Sequence, residues 1–264
     1  MMRNVFLFIL FLICKTGDCQ YLDFSILGKT IHYSDTLKNA IKFKNIDEAL
    51  LHPENVIFLD LFVEASGKNY DEFIVHQSSF KNLRKLVIIN SLEKTHWPVV
   101  PDFSNFKFLE FLQVFCLSEI NTSQFENLTN LKFLELHSCG IRTFPASILK
   151  LKKLECLNLS LNFLSKLPSE MNNLVSLREL ELTNNCFEGF PFSITQIKNL
   201  ECLIISNTDS KSDFTDKKMF CKNTINEFPD FLGDCKNLKI VFLCKLDKKI
   251  KQRMVNAYKG TKFY

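Results

Sequence analysis

Five histidines, ten cysteines and 29 acidic residues carry the side chains of this 264-residue chain that could perform acid–base, covalent or metal chemistry. Their spacing does not assemble such chemistry. His32, His52, His76, His96 and His137 are scattered. No H-E-x-x-H pattern sets two imidazoles on one helix face, and no C-x-x-C or close Cys/His pair suits zinc. No G-x-S-x-G elbow, phosphate-cradling glycine loop or dinucleotide fingerprint occurs. The nearest approach to an acid–base pair is Glu135 with His137. Two residues apart, they share one side of an extended strand, an arrangement that is ordinary on a sheet surface. The expectation is a chain that binds without transforming: no catalytic residue, no metal and no cofactor.

Composition agrees. Hydrophobic residues make up 46% and charged residues 23%, with 27 phenylalanines, which is the make-up of a folding chain. A net charge of +4 is too small for a chain whose main task is gripping a nucleic-acid backbone. At the N-terminus, Arg3 precedes the nine-residue apolar run Val5 to Ile13, and Gly17 and Cys19 are small residues ahead of Gln20. Residues 1–19 are therefore expected to be a secretory signal peptide cut before Gln20. The alternative is a membrane anchor, but nine apolar residues reach only half of the ~20 that span a bilayer. A lipid-attached form needs small residues before its Cys, and neither Cys14 nor Cys19 has them. No later stretch could span a membrane, so the mature chain is expected to be secreted or at the cell surface.

What positions the remaining side chains is an internal repeat. Leu131, Leu154 and Leu177 open three segments, LKFLELHSCGI, LECLNLSLNFL and LRELELTNNCF, that start 23 residues apart. Each reads L-x-x-L-x-L-x-x-(N/C)-x-(apolar). Pro145, Pro168 and Pro191 recur at the same interval, each followed by apolar residues three and six positions on. Weaker copies open at Val56, Leu83, Leu109, Leu200 and Leu238, at intervals of 27, 26 and 22 before the regular three and 38 before the last. Over roughly Val56 to Leu246 the chain resembles the leucine-rich repeat family, in particular the short type with a Leu-Pro-x-x-Ile line after the strand. The resemblance implies an α/β solenoid of about eight repeats, a curved parallel sheet with short helical or 3-10 returns.

Physical reasoning gives the same picture. The fourth and sixth motif positions share one side of a short strand, and the first tucks inward as the chain enters it. One such strand cannot bury its apolar side alone, whereas parallel stacking with a crossover of a dozen or more residues can. The inward columns run from Val56 to Leu238, from Leu59 to Val241 and from Leu61 to Leu243, with no polar member. The ninth position needs a side chain that bonds the backbone at the strand exit. Asn162 and Asn185 fit, Cys139 and Thr208 are poorer substitutes, and Leu117 and Leu246 cannot do it.

The opposite side of the strands would be concave and is the surface through which repeat proteins bind. The second motif position alternates in sign from Arg84 through Glu110, Lys132, Glu155, Arg178 and Glu201 to Lys239. The plainer reading of this row is a register-setting ladder of exposed pairs, each contributing little. Phe58, Phe111 and Phe133 fall at position three, Phe62, Phe115 and His137 at position seven, and Glu135 and Glu181 at position five. These eight residues are the candidate ligand-binding set. A large exposed aromatic patch usually marks a partner. Alternatively, residues 20–55 cover it, or phenylalanine simply fills tolerated places.

The organisation expected is a cap over 20–55, repeats over 56–246 with an insertion at about 209–224, and a C-terminal cap over 247–264. Asn45 to Glu48 resembles a capping box opening a short helix that Pro53 ends. Ile250, Met254 and Tyr258 form a helix-like stripe with basic residues on its other faces. The insertion is either a tolerated loop or a contact site. Of the cysteines, Cys221 with Cys235 or Cys244 is the best disulfide candidate, whereas Cys139 and Cys186 are expected as buried free thiols. N-x-S/T sequons begin at Asn121, Asn127 and Asn158. The function expected is a non-catalytic, secreted or surface-exposed module that recognises a protein partner. The alternatives are a structural or adhesion component of the cell envelope and, less favoured, a glycan-binding protein or an enzyme.

Overall fold

The computed structural model describes residues 46–63, 68–90, 99–117, 120–207, 222–225, 237–238, 240–242 and 262–263. Residues 1–45, which include the expected signal peptide, most of the insertion, Thr208, Leu246 and the stripe at Ile250, Met254 and Tyr258 lie outside them. So do Cys221, Cys235 and Cys244.

Among the described residues, nine parallel strands form one sheet in chain order. They are β1 (Phe58–Val63), β2 (Lys85–Asn90), β3 (Phe111–Phe115), β4 (Phe133–His137), β5 (Cys156–Asn158), β6 (Glu179–Glu181), β7 (Cys202–Ile204), β8 (Ile240–Phe242) and β9 (Lys262–Phe263). The register is the one the motif requires. Phe58, Lys85, Phe111, Phe133, Cys156, Glu179, Cys202 and Ile240 are successive Cα partners. β9 is a ninth strand within the stretch expected only to cap the C-terminal end. It pairs through Ile240 with Lys262 and Val241 with Phe263.

The leucine columns occupy the interior as expected. Val56, Leu83, Leu109, Leu131, Leu154, Leu177 and Leu200 are fully buried, as are Leu112, Leu134, Leu157, Leu136, Leu159 and Leu182. Opposite them, the returns supply the second wall. Pro145, Pro168 and Pro191 stand at the N-caps of 3-10 turns Ala146–Lys150, Ser169–Asn173 and Phe192–Gln196, where the fixed φ of proline suits the turn entry. One wall column runs Phe103, Phe125, Ile148, Met171, Ile194, all buried. Phenylalanine therefore fills in the first repeats the positions that smaller side chains fill later. The return between β1 and β2 holds helix α2 (Lys68–His76), whose Phe73 ring packs on Phe80 and Phe106 at centroid distances of 5.8 and 6.0 Å. Helix α1 (Ile46–Leu51), with acidic Asp47 and Glu48 in its first turn, buries Ile46 and Ala49. A short helix is expected at this place, and the turn Pro53–Asn55 follows it.

Strand exits bend sharply. Cys116, Ser138, Leu161 and Asn184, all at the eighth motif position, take φ between 52 and 56°, a left-handed conformation that costs a non-glycine residue on the order of 1 kcal/mol. The next residue secures the bend. The Asn162 amide nitrogen donates to the carbonyls of Leu136, Leu159 and Ser160, while its oxygen accepts from Cys139 N and Ile141 N. Asn185 donates to Leu159, Leu182 and Thr183 and accepts from Leu164 N. The Cys139 thiol donates more weakly, to Val114 O and His137 O at 3.5 and 3.4 Å.

Beyond the insertion, Asn223 makes the next rung, donating to Leu182 O and Ser206 O and accepting from Phe187 N. The insertion therefore enters ahead of the ninth position, and Asn207 clasps its far foot through Asn207 Nδ2 to Asn223 O (2.7 Å) and Asn223 N to Asn207 Oδ1 (2.8 Å). The sequence signal is the spacing to proline: Asn162–Pro168, Asn185–Pro191 and Asn223–Pro229 are all six apart.

A second, outer set of bonds precedes the first leucine of five repeats. Asn82, Asn130, Asn199 and Asn237 donate to carbonyls of Glu54, Lys107, Val175 and Lys198 in the preceding return. Ser176 does the same to Lys152 O. The inner and outer rungs should differ in cost. Asn162→Ala strands several buried backbone groups and should lower unfolding free energy by about 2–4 kcal/mol. Asn130→Ala, whose carbonyl partner can turn to water, should lower it by less than ~1 kcal/mol. Urea melts of the two variants measure the difference.

Candidate concave-face site

The side of the sheet opposite the leucines carries four rows set by the register. The charged row forms as a ladder in two stretches. Arg84 Nη1 and Lys132 Nζ lie 2.7 and 3.2 Å from the two oxygens of Glu110, and Arg178 Nη1 lies 2.9 Å from Glu201 Oε1. Burial would raise the Glu110 pKa, but the hydrogen bonds and charges of Arg84 and Lys132 outweigh it and hold the group below the ordinary carboxylate range.

Phenylalanines divide between two rows and do not make one exposed patch. At position three, Phe58, Phe111 and Phe133 are buried and pack with Val87 and Cys156. The Phe111 and Phe133 rings stack at 4.2 Å with an interplanar angle of 8°. Lys85 Nζ lies between the rings of Phe58 and Phe111, 4.4 and 4.5 Å from their centroids, a favourable cation–π geometry. At position seven, Phe62 is 40% exposed, and Ile89, Phe115 and His137 are half-buried. These four are successive partners across β1–β4. The Phe115 and His137 rings lie 5.4 Å apart, and His137 Nδ1 is 2.8 Å from Ser160 Oγ. This is the open aromatic strip of the concave face.

Between them, position five is a chain of amides and carboxylates. Gln113 Nε2 donates to Glu135 Oε2 at 2.6 Å. Asn158 Nδ2 donates to Glu135 Oε1 at 2.9 Å and to Glu181 Oε2 at 3.1 Å. Its oxygen accepts from Ser160 N. Burial raises the Glu135 pKa to about 7, which the Gln113 bond only partly offsets. Burial and the Glu135 charge raise Glu181 to about 8. The pair titrates as a unit and retains a proton near neutral pH.

Glu135 and His137, the one sequence pair with acid–base potential, bond to different partners. Burial pushes the His137 imidazole down to about 4, so it is neutral at pH 7. Among the described residues no three His, Cys, Asp or Glu side chains converge as metal ligands. Asn158 and Gln113 were missed as site residues, although position five alternates amide and carboxylate from Gln113 to Glu181 and the pattern was there to be read. Asn158 is 2% exposed with both ends of its amide engaged.

The thiols divide differently from expectation at one place. Cys139, Cys156 and Cys202 are free and buried, and Cys116 is free and exposed. Burial pushes Cys139 and Cys156 far above the ordinary thiol range and Cys202 to about 12. Cys186, expected as a free thiol, is disulfide-bonded, to a cysteine outside the described residues. The chain returning from the insertion docks beside it: Phe187 N bonds Asn223 Oδ1 and Thr224 N bonds Phe187 O. The repeat interval alone does not show that approach.

A parallel-strand solenoid clasped by asparagines, with an apolar interior and a chemically mixed concave face, defines a repeat-type scaffold. The profile of the leucine-rich repeat region family matches residues 82–256, and the chain belongs to that family. Leucine-rich repeat domains are commonly protein-interaction modules and are generally not enzymes. Its fold is similar to that of a leucine-rich repeat protein of Leptospira interrogans, with 23% identity and a TM-score of 0.56, covering 80% of this chain and 49% of that one. It is also similar to internalin C2 of Listeria monocytogenes, with 17% identity and a TM-score of 0.53, covering 80% and 81%. The chain thus spans about half the length of the first of these. A search of curated proteins finds no match. No described helix is long and apolar enough to cross a membrane.

Two measurements follow from this geometry. A carboxyl pKa raised on folding means that the native state binds the extra proton. Its stabilising effect is complete below the unfolded value near 4.5 and is lost as pH rises through about 7. Glu135→Gln should therefore flatten the fall in stability between pH 5 and 8 and raise unfolding free energy at pH 8 by about 1–3 kcal/mol, read from melts across that range. In the second, alkylation of the unreduced, unfolded chain should leave Cys186 unlabelled and label Cys139, Cys156 and Cys202. Prior reduction should add Cys186, as peptide mass spectrometry will show.

Proposed function

We propose that this protein is a non-catalytic, secreted or surface-exposed binding module that recognises a protein partner through its concave face. The observation that carries the reading is the open row Phe62, Ile89, Phe115 and His137, held in register by four strands and partly exposed. Aromatic side chains on a rigid sheet lose little conformational entropy on binding and bury a large area each. Phe58, Phe111 and Phe133 form the packed layer beside this row and stiffen it. Glu135 and Glu181, tied through Asn158, border it with groups that accept hydrogen bonds. Secretion is supported by the leader-like residues 1–19 and by the disulfide at Cys186, a bond that persists in oxidising compartments.

The test is Phe62→Ser combined with Phe115→Ser. Both side chains stand at the open edge of the face, so the melt should shift little. Any partner captured by the unmodified chain should be bound at least ~10-fold more weakly by the double variant, the scale of losing central aromatic anchors. Undiminished binding of a captured partner to the double variant would assign recognition to another surface.

A further inference from the structure

The two edges of the sheet differ in charge. At the exit bends, the eighth and ninth motif positions from Cys116 to Asn185 hold no charged residue. At the entry edge, the two residues before each first leucine, from Lys81 to Asn199, include Lys81, Lys107, Lys152, Lys153 and Lys198 and no carboxylate. All five lysines are exposed. At the first repeat the same place holds Glu54, so the basic strip begins at Lys81.

The outer bonds set the members of this strip side by side. Asn130 Nδ2 donates to Lys107 O, Ser176 Oγ to Lys152 O and Asn199 Nδ2 to Val175 O. Lys153 Nζ donates to Asn130 Oδ1 at 2.8 Å and Lys152 Nζ to Asn173 O at 2.9 Å, which steadies both side chains without removing their charge. At ~4.8 Å per strand, the five steps from Lys81 to Lys198 make a line of ~24 Å. Carboxylates on its flanks are already matched. Glu110 pairs with Arg84 and Lys132, Glu126 with Lys150 and Glu201 with Arg178. Glu155 stands in the ladder between Lys132 and Arg178. Among the described residues the strip therefore presents an excess of positive charge, although the whole chain carries only +4. Two large apolar side chains stand out of the same strip. Phe108, next to Lys107, is 50% exposed, and Val175, between Lys152 and Lys198 in the row, is 54% exposed. Apolar groups set among cations suit a boundary where anions cover hydrocarbon. A sulfated glycan or a nucleic-acid backbone offers the anions without that apolar depth.

We infer that this strand-entry edge docks on an anionic lipid surface, with the lysines against the headgroups and Phe108 and Val175 dipping between them. The strip precedes the first leucine of each repeat, whereas the aromatic row stands at position seven. The inference therefore holds whether or not the concave face binds a protein.

Flotation with vesicles tests it, using the chain from Gln20 onward so that the apolar run Val5 to Ile13 contributes nothing. Binding is expected to phosphatidylcholine vesicles containing about a third phosphatidylserine. It should be absent with phosphatidylcholine alone and fall as salt rises. Lys107→Gln with Lys198→Gln should weaken it about 25-fold, at ~5-fold per lysine near an anionic leaflet. Arg142→Gln with Lys166→Gln, which removes two charges just past the exit bends, should change it less than ~2-fold. Phe108→Ser should weaken vesicle binding at least ~3-fold and leave retention on heparin unchanged. No binding to the anionic vesicles, or equal loss in the two paired variants, overturns the inference. So does retention on heparin or duplex DNA by a chain that does not float, which would make the strip a site for a soluble polyanion. Lysine acetylation of the unmodified chain supplies a readout that needs no variant. Vesicles should protect Lys81, Lys107 and Lys198 and leave Lys166 reactive, and uniform protection or none overturns the inference.

Discussion

Each strand of this rod ends inside it, where backbone carbonyls and amides cannot reach water, and the rest of the architecture depends on satisfying them. An unpaired buried backbone group costs about 1–3 kcal/mol, and every repeat creates several at its exit turn. Asn162, Asn185 and Asn223 answer with one amide bridging two successive repeats. The side chain is short enough to be held rigidly and has both a donor end and an acceptor end. Because each rung ties a repeat to the one before it, leucine burial and strand register are locked together. The left-handed residues ahead of the rungs are the strain this arrangement tolerates.

The insertion shows how strict the constraint is. Fifteen extra residues interrupt a repeat, yet the rung reappears as Asn223, six before Pro229, and Asn207 holds the two feet of the excursion together. Loop-closure entropy grows slowly with length, so the excursion itself is cheap. A missing rung would not be.

On the concave face the same register serves recognition. Since strands align position by position, any residue type placed at one motif position becomes a continuous row. Rows of unlike chemistry then lie side by side: an ion-pair ladder, a stacked aromatic layer, a carboxylate–amide chain and an open aromatic strip. Their proximity explains the shifted titrations. Asn158 brings two carboxylates into one hydrogen-bonded unit in a buried setting, so keeping both ionised is costly and one proton is retained.

Repeat spacing alone determined the solenoid, the strand register, the three leucine columns, the 3-10 returns after Pro145, Pro168 and Pro191, and the ionic ladder through Arg178 and Glu201. These are periodic properties, and periodicity survives in a linear sequence. The place of Asn223 was also legible through its distance to Pro229, but only once proline was used as the fixed mark. The tertiary structure alone decided the rest. Phe58, Phe111 and Phe133 are buried while Phe62 is open, although all stand on the same side of the sheet. Cys186 is disulfide-bonded, although the repeat pattern places it as a buried free thiol. Burial and docking depend on what lies above a residue in space, and no repeat period encodes that.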